Sequence, residues 1–245
     1  MLFQELYRHR DSLLRQQLDL QLFNREAERI DAATKGHETF LDYADLGDSV
    51  ESVENLLRRH RDFEAKLDAQ EARLEAFNAS ADGLIKHKHA DGHYIDQRRK
   101  DVLQRRVHVR QMADIRRRKL EEALEYQMLK RDGDEMIGWI AEKKKTACDD
   151  SHRDLTSIAN KLLRHEAFEA EIKSNRPKVE QINLTGAALI KRKHYESDNI
   201  DRMIRRVNKE WAALEDDAKR KGERLNQAAD QKVRLFWNSY RKNKP

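Results

Sequence analysis

Residues 52–89, SVENLLRRHRDFEAKLDAQEARLEAFNASADGLIKHKH, recur 105 positions later as residues 157–194, SIANKLLRHEAFEAEIKSNRPKVEQINLTGAALIKRKH. Fifteen of the 38 aligned positions are identical, well above what shared composition would produce. An internal repeat sets the unit of architecture, so it takes priority over local motifs. The chain of 245 residues therefore holds two units of about 105 residues each.

The composition predicts that both units are helical. Only 8 Gly and 2 Pro occur in the chain, whereas sheets and loops need such turn residues. Charged residues make up 39% and aromatic residues only 7%, and strong helix formers dominate the remainder. A hydrophobic share of 38% is sufficient for narrow apolar seams, which favours slender helical bundles over one large core.

Several classes of protein are disfavoured by simple counts. The net charge of +5 is small beside 95 formal charges, which indicates a surface of mixed sign. The single cysteine, Cys148, permits no internal disulfide and fits a reducing compartment. The longest apolar runs are too short to span a membrane, and the first residues do not resemble a signal peptide.

The apolar spacing predicts three helices in each unit. The first runs from about Leu14 to Asp42 and recurs from about Leu120 to Cys148, and Asp48 or Ser49 can cap the second helix. The second helix carries a heptad seam, repeated from Leu155 onward, and polar residues 86–92 then turn the chain back. The first copy of that seam comprises Val50, Val53, Leu57, His60, Leu67 and Leu74.

The third helix is expected to join the two units. It carries Ile95, Val102, Val109, Ala113 and Leu120, which recur as Ile200, Val207, Leu214, Ala218 and Leu225. No Gly or Pro lies between positions 94 and 132. The third helix of the first unit therefore continues into the first helix of the second unit.

These residues resemble the spectrin repeat. The segment LKRDGDE at 129–135, followed by Trp139 and Ile140, is similar to the first-helix signature of that family. Trp211 with Leu214, Ala218 and Leu225 resembles the third-helix signature. The segment GDSV at 47–50, followed by Leu57, His60 and Phe63, is similar to the opening of the second helix. The resemblance covers nearly the whole chain.

The resemblance implies an all-α fold of two tandem three-helix, left-handed coiled-coil bundles that share a continuous linker helix. Residues 15–120 and 121–226 would be the two repeats. Residues 1–14 would end a preceding third helix, and residues 227–245 would start a following helix or form a tail.

The resemblance also implies a function and partners. It implies an elastic rod segment of an actin-crosslinking membrane skeleton, located in the cytoplasm at the cortical face of the plasma membrane. Its partners would be another spectrin chain in a lateral antiparallel heterodimer, together with anionic lipid and ankyrin-like or actin-associated proteins.

The first unit departs from the family pattern at three positions. Ala33 stands where the second unit has Trp139, Arg106 where it has Trp211, and Arg99 where it has Ile204. Buried aromatic residues dominate core energetics, so the first unit is expected to be the weaker bundle. Two interpretations are open. The arginines extend their charged ends into water, or this half of the unit is a specialised, less rigid surface.

Catalytic chemistry is not indicated. The chain lacks a Gly-rich phosphate loop, zinc-type Cys/His spacing and a nucleophile elbow, so neither an enzyme nor a cofactor is expected. His87, His89 and His93 cluster, but neighbouring lysines would repel a cation. The matching seam positions of His60 and His165 indicate packing roles.

One basic stretch, residues 98–119, is a candidate site. It holds ten basic residues against two acidic ones, a net charge of +8, whereas residues 203–224 carry +2. The stretch is either a solvated face or a site for an acidic partner: anionic lipid, actin or an acidic helix. Nucleic acid is not expected, since no groove-reading motif is present. The candidate residues are Arg98, Lys100, Arg105, Arg110, Arg116, Arg117, Arg118 and Lys119, the run 116–118 being the strongest.

A second architecture also fits the length and basicity. A membrane-remodelling dimer of long helices, of the BAR type, would have a similar composition. Such a chain is not expected to show an internal period of 105 residues, so the repeat favours the first interpretation.

Overall fold

Helices account for nearly all of the chain that the structure describes. The computed structural model describes residues 2–148 and 157–242, so the start of the repeated seam at Leu155 and residues 243–245 lie outside it. No strand occurs in the described part, and the predicted all-α class is confirmed. The helices are α1 (Leu2–Leu41), α2 (Val50–Ala69), α3 (Glu71–Lys86), α4 (Gly92–Ala147), α5 (Ile158–Lys191) and α6 (Ser197–Lys242).

The turn before α2 forms as its residue types predict. Gly47 has a φ of 82°, a left-handed conformation that costs a glycine little. Ser49 caps α2, because its hydroxyl accepts the Ser52 N–H at 3.2 Å, and Ser52 Oγ accepts the Ser49 N–H in return. This reciprocal capping box satisfies two backbone donors that a helix start leaves unpaired.

The prediction of one continuous second helix in the first unit is wrong, because that helix is interrupted. The interruption is at Gln70, which ends α2 and precedes α3. The Gln70 N–H donates to the Leu67 carbonyl at 3.2 Å, one residue short of the α-helical spacing. In the second unit the corresponding α5 is continuous, although it contains Pro177.

The turns that lead into the third helices are the same in both units. Lys88 and Lys193 adopt left-handed φ angles of 56° and 58°. The next residue, His89 or His194, donates its N–H back to Leu84 or Leu189 at 3.1 and 3.2 Å, the long bond of a Schellman motif. Each imidazole Nδ1 then accepts an N–H two residues ahead. His89 therefore has a structural role in its turn.

Two compact units divide the chain, residues 1–124 and 125–245. In the first unit, α2 and α3 together form the second helix of a bundle with α1 and the start of α4. The predicted seam is its core: Val53, Leu57, His60, Leu67 and Leu74 are buried, and Val50 is half-buried. Phe23 stacks on Phe77 at 4.9 Å, and Phe40 stacks on Phe63 at 4.4 Å.

The second unit packs the end of α4, α5 and α6 around a larger apolar core. The predicted third-helix positions from Ile200 to Leu225 are buried, as are the α5 seam positions Ile172 and Val179. Trp139 on α4 and Trp211 on α6 stack with ring centroids 6.0 Å apart. Gly133 and Gly186 face Met203 and Ile204 of α6 so closely that a Cβ on either glycine would clash.

The linker helix is confirmed. Helix α4 spans Gly92–Ala147 and includes the whole predicted junction, residues 120–132. Within the described ranges, the helices lack a stretch long and apolar enough to cross a membrane.

Candidate functional site

The basic stretch lies on α4, and most of its cations bind carboxylates of the first unit. Toward α1, Arg98 Nη2 lies 2.5 Å from Asp31 Oδ2. Arg105 donates from Nε and Nη2 to the two carboxylate oxygens of Glu38 at 2.8 and 2.6 Å. Paired donation of this kind fixes geometry as well as charge. The Arg105 guanidinium holds the pKa of the Glu38 carboxyl below its usual range.

Other cations bind toward α2 and α3. Arg110 lies 3.0 Å from Asp68 and 2.8 Å from Glu71, so it bridges the two helices on either side of the break at Gln70. Arg117 pairs with Asp114 at 2.8 Å and approaches Glu64 at 3.7 Å. The Arg110 guanidinium lowers the pKa of the Glu71 carboxyl.

The start of the stretch is neutralised locally. Lys100 Nζ lies 2.7 Å from Asp96 Oδ2 on the same helix. Arg99, at the position of Ile204 in the second unit, pairs with both Asp96 and Asp82. Its charged end therefore lies in an ion pair with two carboxylates.

Arg116 does not face solvent, and the prediction that placed it among the best docking residues is wrong. Its exposed fraction is 8%, and its guanidinium carbon lies 5.5 and 5.6 Å from the rings of Phe40 and Tyr43. Nη1 donates to the Tyr43 carbonyl. Burial lowers the pKa of the Arg116 guanidinium. The heptad spacing did indicate a buried position for Arg116, because Arg116 falls three residues after buried Ala113 and four before buried Leu120.

Arg106 is also inside the bundle, which contradicts the interpretation that it extends its charged end into water. Only 4% of the residue is exposed, and Nη2 donates to the backbone carbonyl of Leu67. Glu71 Oε2 lies 3.5 Å away, and Arg106 Nε finds no hydrogen-bond partner among the described residues. Burial lowers the pKa of the Arg106 guanidinium. The stacked tryptophans of the second unit are replaced here by a buried cation.

Two cations of the stretch remain available for an external partner. Arg118 and Lys119 are exposed and make no ion pair within residues 2–148 and 157–242. The net charge of +8 along the sequence is therefore mostly balanced by carboxylates of α1, α2, α3 and α4 itself. Charge counted along one helix could not show this, because the neutralising groups lie on neighbouring helices.

Comparison with known proteins agrees with the architecture. The family model described as spectrin repeat matches residues 18–122 and 124–227. The chain is 35% identical to mouse spectrin alpha chain, erythrocytic 1, over 214 residues, which are 87% of this chain and 9% of that protein. It is 32% identical to the spectrin beta chain of Drosophila melanogaster over 221 residues, 90% of this chain and 10% of that protein.

The chain thus spans about a tenth of the length of these relatives. Both halves match the same repeat model, and this gives the alternative of a BAR-type dimer no support. The internal period, the helical units and the two family matches agree: the chain belongs to the spectrin repeat family.

Proposed function

We propose that the chain is an elastic rod segment of a spectrin-type protein that crosslinks actin at the cortical face of the plasma membrane. The main support for this proposal is the continuity of α4 across both repeats. The two family matches meet between residues 122 and 124, inside a helix that spans Gly92–Ala147. A helix that belongs to both repeats passes force from one repeat to the next without a flexible linker. Residues 15–120 and 121–226 are the repeats in this proposal.

Stretching the whole chain between two optical traps tests the rod function. A rod segment releases its length in discrete steps of one or two repeats, because each bundle unfolds cooperatively. Smooth extension without steps at any loading rate would contradict the proposal.

The lateral partner in this proposal is another spectrin-type chain, aligned antiparallel. The similarity to both an alpha chain and beta chains supports this, since the relatives carry both names. Sedimentation equilibrium of the chain mixed with alpha or beta rod segments tests the pairing. Absence of a heterodimer with every segment of both types would contradict a lateral role for these two repeats.

Binding of an acidic partner by the basic stretch is a separate proposal, restricted to Arg118 and Lys119. Their exposure and lack of ion partners in the described ranges support binding to anionic lipid. Cosedimentation with phosphatidylserine vesicles at about 50 and 300 mM salt is the test, because screening weakens exposed charge pairs. Arg118→Glu with Lys119→Glu is expected to abolish binding, whereas Arg98→Glu mainly destabilises the bundle. Failure of the unmodified chain to bind at low salt would contradict the proposal.

A further inference from the structure

The interruption of the second helix at Gln70 has no cause in the local sequence. No Gly or Pro occurs in residues 50–82, and the segment around the interruption, KLDAQEARL at 66–74, consists mostly of strong helix formers. The second unit has Pro177 at the position of Ala72, and yet α5 is continuous there. Helix propensity would therefore place the interruption in the wrong repeat, so its cause lies in contacts with another helix.

The ion pair that joins the start of α3 to α4 does not distinguish the repeats. In the first unit, Arg110 of α4 lies 2.8 Å from Glu71 of α3. The same two positions in the second unit hold Glu215 and Arg176, which form a pair of exchanged sign at 2.7 Å. Both repeats have this pair and only the first is interrupted, so the pair is not the cause.

The repeats do differ one turn earlier on α4. In the second unit, Trp211 occupies this position as part of the apolar core. In the first unit, Arg106 donates from Nη2 to the Leu67 carbonyl, which also accepts the Gln70 N–H. In a continuous α-helix that carbonyl accepts the N–H four residues ahead, here that of Glu71. A side chain that inserts into this ladder of hydrogen bonds is a known cause of sharp helix kinks.

The burial of Arg106 explains why it takes a backbone acceptor. A guanidinium withdrawn from water must replace the acceptors that water supplied to its N–H groups. Glu71 Oε2 lies 3.5 Å from Nη2, too far for a strong hydrogen bond, and Nε finds no partner among the described residues. The Leu67 carbonyl is therefore the main acceptor of this cation in the part of the chain that the structure describes.

The apolar core of the first unit is divided at the same level. Leu67 of α2 and Leu74 of α3 belong to separate clusters of buried side chains. Their counterparts on α5, Ile172 and Val179, belong to one cluster that continues past the position equivalent to Gln70. The interruption thus coincides with a boundary between two parts of the core.

From these contacts we infer that Arg106 is a positioning residue that interrupts the second helix of the first repeat and makes Gln70 a joint between two separately packed halves. Helix α3 can open at this joint together with its part of the core while α2 remains packed, because local opening follows such packing boundaries. The joint is a property of one folded repeat and does not depend on the rod function.

Amide hydrogen exchange of the whole chain, followed residue by residue by NMR spectroscopy, tests the role of Arg106. Arg106→Met should slow exchange of the Glu71 amide at least about tenfold, because the Leu67 carbonyl becomes available to it. The Cα chemical shift of Gln70 should move toward the helical value. Arg106→Ala removes the same donor and should have the same effect, so the test does not depend on how methionine packs.

Arg110→Met is the matched control. It removes a cation one turn along α4 that contacts both Asp68 and Glu71, and it should leave exchange of the Glu71 amide unchanged. Unchanged exchange of that amide in both Arg106 variants would overturn the inference. Equal slowing in Arg110→Met would do the same, since it would assign the interruption to the surface ion pairs.

The joint itself has a separate readout in the same spectra. In the unmodified chain, buried amides of α2 such as Phe63 and of α3 such as Phe77 should differ in exchange rate by about tenfold or more. Their counterparts on α5, Phe168 and Ile182, should exchange at similar rates. Arg106→Met should bring the rates of Phe63 and Phe77 together. Equal rates at Phe63 and Phe77 in the unmodified chain would contradict a joint.

Discussion

The guanidinium of Arg106 donates to the backbone carbonyl of Leu67, at the level where the second helix of the first unit breaks. The same carbonyl accepts the Gln70 N–H. In the second unit the position of Arg106 is occupied by Trp211, which stacks on Trp139, and α5 continues without a break. The first repeat thus has a buried cation where the second repeat has an aromatic contact. The second helix of the first repeat is interrupted at the same level.

Replacement of Arg106 by methionine should leave the stability of the first unit unchanged or raise it by about 1 kcal/mol or more. A hydrophobic side chain of similar volume removes the desolvation cost of the guanidinium, and such exchanges are often neutral or stabilising. Urea unfolding of the whole chain measures the effect. Arg110→Met is the control, because its surface ion pairs contribute up to about 1 kcal/mol. A clear loss of stability in Arg106→Met would show that the cation holds the bundle together.

The aromatic pair of the second unit should dominate its stability. Trp211→Ala is expected to cost about 3–5 kcal/mol, because it leaves a cavity beside Trp139. Trp237→Ala, at an exposed position, should change stability by no more than about 0.5 kcal/mol. Thermal unfolding followed by circular dichroism compares the two. Similar effects of both substitutions would contradict the assignment of Trp211 to the core.

The seam and the caps were predictable from the sequence because they follow from apolar spacing and from residue types at helix ends. Val53, Leu67 and Leu120 are buried as predicted, and Ser49 caps α2. Arg106 and Arg116 were harder to place, since a charged residue at a seam position is usually assigned to the surface. Their carbonyl and aromatic partners are far away in sequence, so periodicity alone does not reveal them.

The ion pairing between helices was not predictable from either helix alone. Glu26 pairs with Arg73 in the first repeat, whereas the counterpart of Glu26 in the second repeat, Asp132, pairs with its neighbour Arg131 and not with Lys178. The residue types of both pairs are compatible with an ion pair. Only the structure shows that Asp132 pairs with Arg131 and not with Lys178.

Mild acid should weaken the first unit through His60. Burial lowers the pKa of this imidazole, with the charges of Arg116 and Arg117 acting in the same direction, whereas Glu64 and the Ala113 carbonyl oppose the shift. The folded state therefore binds fewer protons than the unfolded state. The stability is fully present above the ordinary histidine pKa of about 6.5 and decreases as the pH falls below it.

Urea unfolding at several pH values between about 7.5 and 5.5 measures this loss. Burial also lowers the pKa of His37, and the charge of Arg106 lowers it further, so His37 contributes in the same direction. His60→Gln should reduce the slope of stability against pH, and His9→Gln, at an exposed position, should leave it unchanged. An unchanged slope in His60→Gln would contradict a role for the buried imidazole.

Urea unfolding of the Leu124→Pro variant measures whether the continuity of α4 couples the two repeats. Proline inside a helix costs about 3 kcal/mol or more and interrupts its hydrogen bonds. Leu124→Ala is the control, because it shortens the same side chain and preserves the helix. We expect the whole chain and Leu124→Ala each to unfold with coupled repeats, and Leu124→Pro to separate into two transitions. A single, unchanged cooperative transition in Leu124→Pro would show that the shared helix does not couple the repeats.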